Sequence, residues 1–183
     1  MDYTEETLRR VNRYEGIIVN VNVELARLPD GKERFREVVE HPGGVCVLPV
    51  DGDGTAFCVR QFRYPMREHL LEAPAGKLEP GEDPLACAVR DLSEETGFSA
   101  GRLIPMGGYY TSPGFSTECL HLYLARDLTR GEAHPDDGEL LDLVRLPFGE
   151  LLEKVRAGEI ADGKTAIAVL QAEHLLRAEG VHF

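Results

Sequence analysis

Three carboxylates crowd a five-residue window, Asp91, Glu94 and Glu95, with Arg90 directly before them. They fall in the segment with the clearest helical signals. Asp83 suits the N-cap, Pro84 the first helical position and Gly97 the C-terminal cap. Leu85, Ala88, Val89 and Leu92 recur on one face, which is expected to pack on a sheet. With about 100° per residue, Glu95 lies at about +40° and Glu94 at about −60° from Asp91, so the acids share a stripe beside that apolar face. Like charges at these spacings cost about 0.2–0.5 kcal/mol per pair, and the helix C-terminus disfavours anions. One reading is a solvated acidic face with Arg90 paired to Glu94. The local costs and the glycine-rich loop ahead of the helix favour the other, a divalent cation held by hard oxygen ligands.

The wider spacing is Gly76, five residues, Glu82, seven residues, then Arg90-Asp91-Leu92-Ser93-Glu94-Glu95-Thr96-Gly97-Phe98. This resembles the Nudix box, G-x5-E-x7-R-E-U-x-E-E-x-G-U with U a bulky apolar residue. Only Asp91 departs from it, standing where the family has Glu. The resemblance implies a hydrolase that splits a nucleoside diphosphate linked to another moiety, with Mg²⁺, or Mn²⁺ in its place. It implies metal ligation by Glu94, Glu95 and Asp91, orientation of a box glutamate by Arg90, and a tight loop permitted by Gly76. Asp is shorter than Glu by one carbon–carbon bond, about 1.5 Å, so Asp91 is expected to bind with a shifted metal, to bind through water, or to weaken one site.

The flanks narrow the resemblance. Val59-Arg60-Gln61-Phe62-Arg63-Tyr64-Pro65, Leu71-Glu72-Ala73-Pro74-Ala75-Gly76 and residues 110–118, with Pro113 placed 16 residues beyond Gly97, are similar to the ADP-ribose pyrophosphatase branch. So are the acidic run 136–142 and the segment 160–165. The branch implies that Arg63 contacts a substrate phosphate or the ribose-phosphate half. Glu72 would lie at the metal site and hold Arg63, the Ala75 carbonyl would complete the metal shell, and Pro113 and Glu118 would lie in the substrate-binding segment. Glu139 sits at the catalytic glutamate, the base for a water aligned by metal. Arg63 can equally be read as a surface ion pair, and Glu139 as one more acid of a solvated loop, with Asp137 able to serve instead. The branch also implies a homodimer that exchanges N-terminal strands. Tyr14 and Phe35 are then candidates for stacking on adenine, although single aromatics in strands are usually core.

Around these residues the chain reads as an α/β protein, and the resemblance implies a Nudix α/β/α sandwich with a mixed sheet. A small antiparallel N-terminal hairpin is expected from residues 14–28 and 35–40 around Pro29-Asp30-Gly31-Lys32. His41-Pro42-Gly43-Gly44 then separates an N-terminal β segment, 1–42, from a hydrolase domain, 43–183. Residues 45–50 and 56–62 read as strands joined by a turn at 51–54, and strands are expected again at 103–110, 120–125 and 140–146. A loop is expected over 126–138, and helices over 148–156 and 164–178. Residues 17–25 have no obvious pairing partner in such a core, which points to dimerisation through that edge.

Composition limits the partners. The 183 residues carry 20 basic and 32 acidic side chains, a formal charge of −12, so no general field favours nucleic acid or anionic lipid. No apolar run reaches the ~18 residues of a membrane span, and the first six residues carry no signal-peptide pattern. The expected location is the cytoplasm. Cys46, Cys58, Cys87 and Cys119 form no C-x-x-C pair and read as structural thiols. The expected activity is Mg²⁺-dependent hydrolysis of ADP-ribose to AMP and ribose 5-phosphate. Its rivals are hydrolysis of another nucleoside diphosphate sugar and, further off, a non-catalytic nucleotide-sensing domain.

Overall fold

The computed structural model describes residues 2–134 and 140–183, in two compact units. The first comprises residues up to Gly43 together with Tyr110–Cys119. Its body is a three-stranded antiparallel sheet of β1 (Glu6–Glu15), β2 (Asn20–Arg27) and β3 (Glu33–Glu40), with β2 in the centre. The expected hairpin is therefore a meander, and the expected strand 14–28 is broken. Gly16 N–H donates to the Val19 carbonyl at 3.0 Å, closing a turn in which a Cβ on Gly16 would meet the Tyr14 ring at 2.4 Å. That turn puts Ile17 and Ile18 into solvent. Residues 20–25 are paired on both sides, so the unpaired apolar edge expected at 17–25 does not exist. Tyr14 and Phe35 are exposed and belong to no core.

The second unit, Gly44–Tyr109 with Leu120–Phe183, is built on two sheets. One has the order β7-β4-β9-β8, from β7 (Ala75–Lys77), β4 (Gly44–Pro49), β9 (Cys119–Arg130) and β8 (Phe98–Tyr110). β4 runs antiparallel to β7 and parallel to β9, so the sheet is mixed. The other, fully antiparallel, has the order β10-β5-β6, from β10 (Leu141–Pro147), β5 (Thr55–Arg63) and β6 (Glu68–Glu72). Every residue of β4 is buried, because both faces are covered. Cys46 and Leu48 join Phe148, Leu151 and Leu152 of α2 (Phe148–Arg156) and Ala168, Val169, Ala172 and Leu176 of α3 (Gly163–Ala178). Val45 and Val47 face Cys87, Ala88 and Leu92 of α1 (Pro84–Thr96). The result is the α/β/α sandwich with a mixed sheet.

Several expected boundaries in this unit change, and β8 starts at Phe98 and not at residue 103. The loop expected from residue 126 begins after Arg130, since β9 continues that far. Residues 68–72 and 75–77 are short strands, β6 and β7, whose apolar content is too small to announce them. Within the extended β9, Arg126 is buried. It donates to the Val50 carbonyl, to the Asp51 carbonyl at 2.6 Å and to Glu179 at 3.0 Å, while Glu179 also accepts from Arg102 at 2.7 Å.

Candidate active site

α1 carries the acids and is fixed at both ends. Asp83 accepts from Leu85 N–H at 2.9 Å and Ala86 N–H at 3.2 Å, and Gly97 closes the helix at φ +72°. The buried face keeps only half of the apolar stripe read from spacing, Ala88 and Leu92. Leu85 and Val89 are exposed, whereas Cys87, Ala88, Asp91, Leu92, Glu95 and Thr96 are buried. Two acids thus stand in the face that covers β4 and β7. Their burial has a steric counterpart in β7, where a Cβ on Gly76 would lie 1.8 Å from Asp91 Oδ2. Glycine is required there because the carboxylate occupies the side-chain space. Glu95 accepts from Ala75 N–H at 3.2 Å, tying the helix to the same strand.

Arg90 gathers the remaining acids. Its guanidinium donates to both Glu82 oxygens at 3.1 Å, to Asp91 at 2.6 Å and to Glu94 at 3.1 Å. These hydrogen bonds hold the Glu82 carboxyl down at about 2. Asp91 goes the other way: burial outweighs Arg90 and the Cys87 thiol, which donates at 3.2 Å, and pushes its carboxyl up to about 6. One cation thus serves three carboxylates.

A second cluster lies at the end of β6. Glu72, 1% exposed, accepts from Arg63 Nε and a terminal nitrogen of the same guanidinium, each at 2.7 Å. Lys164 donates to the same carboxylate and lies 3.0 Å from Asp162. Burial opposes the Glu72 charge, but Arg63 and Lys164 more than offset it, so the carboxyl sits below the ordinary glutamate range. Asp162 caps α3 by accepting Thr165 N–H at 3.0 Å, and the buried Thr165 hydroxyl oxygen accepts from Ala73 N–H at 2.7 Å. Asp162, Lys164 and Thr165 were not singled out as site residues. Lys164 and Thr165 find Glu72 and Ala73 92 residues away, and the signal for them in the sequence is the likeness of segment 160–165 to the branch.

The larger unit brings Arg63, Glu72, Ala75, Gly76, Arg90, Asp91, Glu94 and Glu95 onto β5, β6, β7 and α1. Pro113 and Glu118 belong to the first unit, where Pro113 lines a cavity and Glu118 accepts from Thr111 Oγ1. Glu139 and Asp137 lie outside the described residues. The chain leading to them is fastened to α1: Gly131 N–H donates to the Gly97 carbonyl at 2.6 Å and His134 N–H to the Glu94 carbonyl at 3.0 Å. These bonds satisfy orphan carbonyls at the helix end.

Among the described residues no three His, Cys, Asp or Glu side chains stand close enough to hold a metal ion together. The donor chemistry nevertheless fits a hard divalent cation, because the acids of α1 are oxygen ligands short of positive charge and Asp91 is buried against its own ionisation. The set suits a hard divalent cation, since its donors are carboxylate oxygens.

Comparisons with known proteins agree with this arrangement. The family model described as "NUDIX domain" matches residues 40–165. An ADP-ribose pyrophosphatase of Bacillus subtilis is 38% identical over 179 residues, covering 96% of this chain and 97% of the relative. An ADP-ribose pyrophosphatase of Mycobacterium tuberculosis is 35% identical, covering 92% and 83%. A GDP-mannose pyrophosphatase of Escherichia coli is 32% identical, covering 86% and 88%. A crystal structure of an ADP compounds hydrolase superposes with a TM-score of 0.85 over 97% of each chain at 20% identity, a likeness of fold. With the matched model spanning most of its length, the chain belongs to the Nudix hydrolases, on the branch whose members include ADP-ribose pyrophosphatases.

Proposed function

We propose that the enzyme hydrolyses ADP-ribose to AMP and ribose 5-phosphate with Mg²⁺, for which Mn²⁺ can substitute. The near full-length likeness to two ADP-ribose pyrophosphatases is the observation that carries this substrate. Asp91, Glu94, Glu95 and the Ala75 carbonyl would hold the cation. When bound, it supplies neutralisation of diphosphate charge and acidification of a water. Arg90 keeps Glu82, Asp91 and Glu94 aligned while that charge is absent. Arg63 spends Nε and one terminal nitrogen on Glu72 and presents the other to a phosphate or to the ribose-phosphate half. Water attacks one phosphorus of the diphosphate, the bridging P–O bond breaks, and two phosphomonoesters leave.

The base is Glu139, because the α1 acids are committed to the cation, and the tethers from Gly131 and His134 start its loop at the end of that helix. Asp137 is the alternative acid of the same loop. Pro113 and Glu118 are assigned to substrate by the resemblance of residues 110–118 to the branch. The assembly is a homodimer through residues 14–40, whose exposed Tyr14, Ile17, Ile18 and Phe35 are the apolar surface a second copy would cover.

A second reading has its own support: the likeness to GDP-mannose pyrophosphatase spans 171 residues. Turnover of ADP-ribose, GDP-mannose and ADP-glucose, each with Mg²⁺ and with EDTA, separates the two. ADP-ribose is expected to give the highest kcat/KM, with AMP as product and no turnover in EDTA. Preference for GDP-mannose would transfer the reading to that substrate, and full activity in EDTA would reject the metal.

A further inference from the structure

We propose that Lys164 is a positioning residue: through Glu72 it fixes the guanidinium of Arg63. The inference rests on the reading above only in assigning Arg63 to substrate. Arg63 and Glu72 are joined by two parallel hydrogen bonds of 2.7 Å, which makes the two side chains one rigid plate. A plate held only to itself can swing, since Arg63 is 40% exposed and lies at the end of β5. Lys164 is the group that stops it.

Its ammonium donates to Oε2 of Glu72, the oxygen that already accepts from Arg63, and its side chain is only 12% exposed. The root of Lys164 is equally fixed. Asp162, 3.0 Å from the ammonium, caps α3, and Thr165 grips the Ala73 backbone next to Glu72. Helix α3 therefore holds both the side chain of Glu72 and the peptide that follows it. Arg63 and Lys164 are the two cations that face Glu72, with Asp162 beside the ammonium. Without the ammonium, Glu72 and Asp162 would compete for one guanidinium, and Arg63 would be drawn out of its paired orientation on Glu72. A lysine kept only for helix stability would have no need of the Glu72 oxygen.

The test uses the full chain in two arms. In the first, without substrate, the Arg63 Nε–H resonance is identified by its loss in Arg63→Lys and its solvent exchange is measured. Lys164→Met is expected to speed that exchange at least tenfold, and Lys164→Arg, which keeps charge and reach, to leave it within a few-fold of the parent. Unchanged exchange in Lys164→Met overturns the proposal, and if that variant does not fold, Lys164→Gln takes its place. In the second arm kcat and KM are measured for Lys164→Met, Arg63→Ala and the double variant, on whichever nucleotide sugar the parent cleaves best. Loss of a group that orients a ligand-binding side chain typically costs about 10–100-fold, here expected in kcat/KM and mostly in KM. The double variant should be no worse than Arg63→Ala by more than about twofold, because Lys164 has nothing left to position. Fold losses that multiply would mean that Lys164 acts independently of Arg63, which also overturns the proposal. Failure of the parent to cleave ADP-ribose would count against that substrate alone, since the first arm needs none.

Discussion

The two charge clusters of the larger unit use the same residue types to opposite ends. Around α1 a single guanidinium, Arg90, faces Glu82, Asp91 and Glu94. At the end of β6 two cations, Arg63 and Lys164, face Glu72 and Asp162. The first cluster is short of positive charge, and burial there opposes ionisation of Asp91; the second sets two cations on one buried carboxylate, which stays ionised. A deficit of this kind suits a place that receives a cation from outside. A buried carboxylate with two cations on it needs no cation from outside, and it holds Arg63 in place. Counting cations against acids thus separates a place built to receive charge from a place built to hold still.

The sharpest challenge to this division comes from the base. If neither cluster supplies it, Glu139→Gln should lower kcat by about 10²–10⁴-fold with little change in KM. Asp137→Asn is the control and should cost much less in the same steady-state assay. A mild Glu139→Gln with a crippling Asp137→Asn would exchange their roles, and two mild variants would put the base back among the acids of α1.

Stability should break the comparison next. In metal-free protein, Glu72→Gln leaves Arg63 and Lys164 with Asp162 alone. Loss of a buried partner costs ~3–5 kcal/mol, and discounting for the exposure of Arg63 brings this to about 2–3 kcal/mol, a fall in Tm of about 5–10 °C. Glu94→Gln removes a like-charge neighbour of Asp91 together with one bond from Arg90, and should stay within about 0.5 kcal/mol by calorimetry in EDTA. Equal losses would mean that the clusters do not differ in kind. The smallest effect is expected for Asp91→Glu, which restores the family's side-chain length. Its kcat should stay within about threefold, with a lower Mg²⁺ concentration at half-maximal rate. A folded but inactive variant would show that the shell has been rebuilt around the shorter acid.

Much of this was legible in the sequence where the signal is local. Asp83 and Gly97 mark the ends of α1 to the residue, and the spacing from Gly76 to Phe98 carries the family. Helix α2 also falls where its pattern puts it. The buried face of α1 was not legible, because amphipathic reasoning assigns acids to water and here Asp91 and Glu95 are buried in place of Leu85 and Val89. That is the kind of conflict expected where chemistry overrides packing. β1 escaped notice because Glu6–Glu15 is charged and exposed along most of its length. The cluster at the end of β6 was legible in part: the resemblance pairs Glu72 with Arg63, as the structure does, but a contact between Glu72 and Lys164, 92 residues apart, leaves no periodic trace in either segment.

Arg126 has a consequence for how the chain is made. It lies in β9, is 6% exposed, and finds its carboxylate in Glu179, 53 residues further on. At about 5–20 residues per second, synthesis brings Glu179 out roughly 3–10 s after Arg126. Through that interval the guanidinium can reach the carbonyls of Val50 and Asp51, but burying it there would strand a charge. The strands around it therefore have reason to stay open until the residue after α3 emerges, and a nascent chain halted before residue 179 is expected to be more open to protease than one released beyond it.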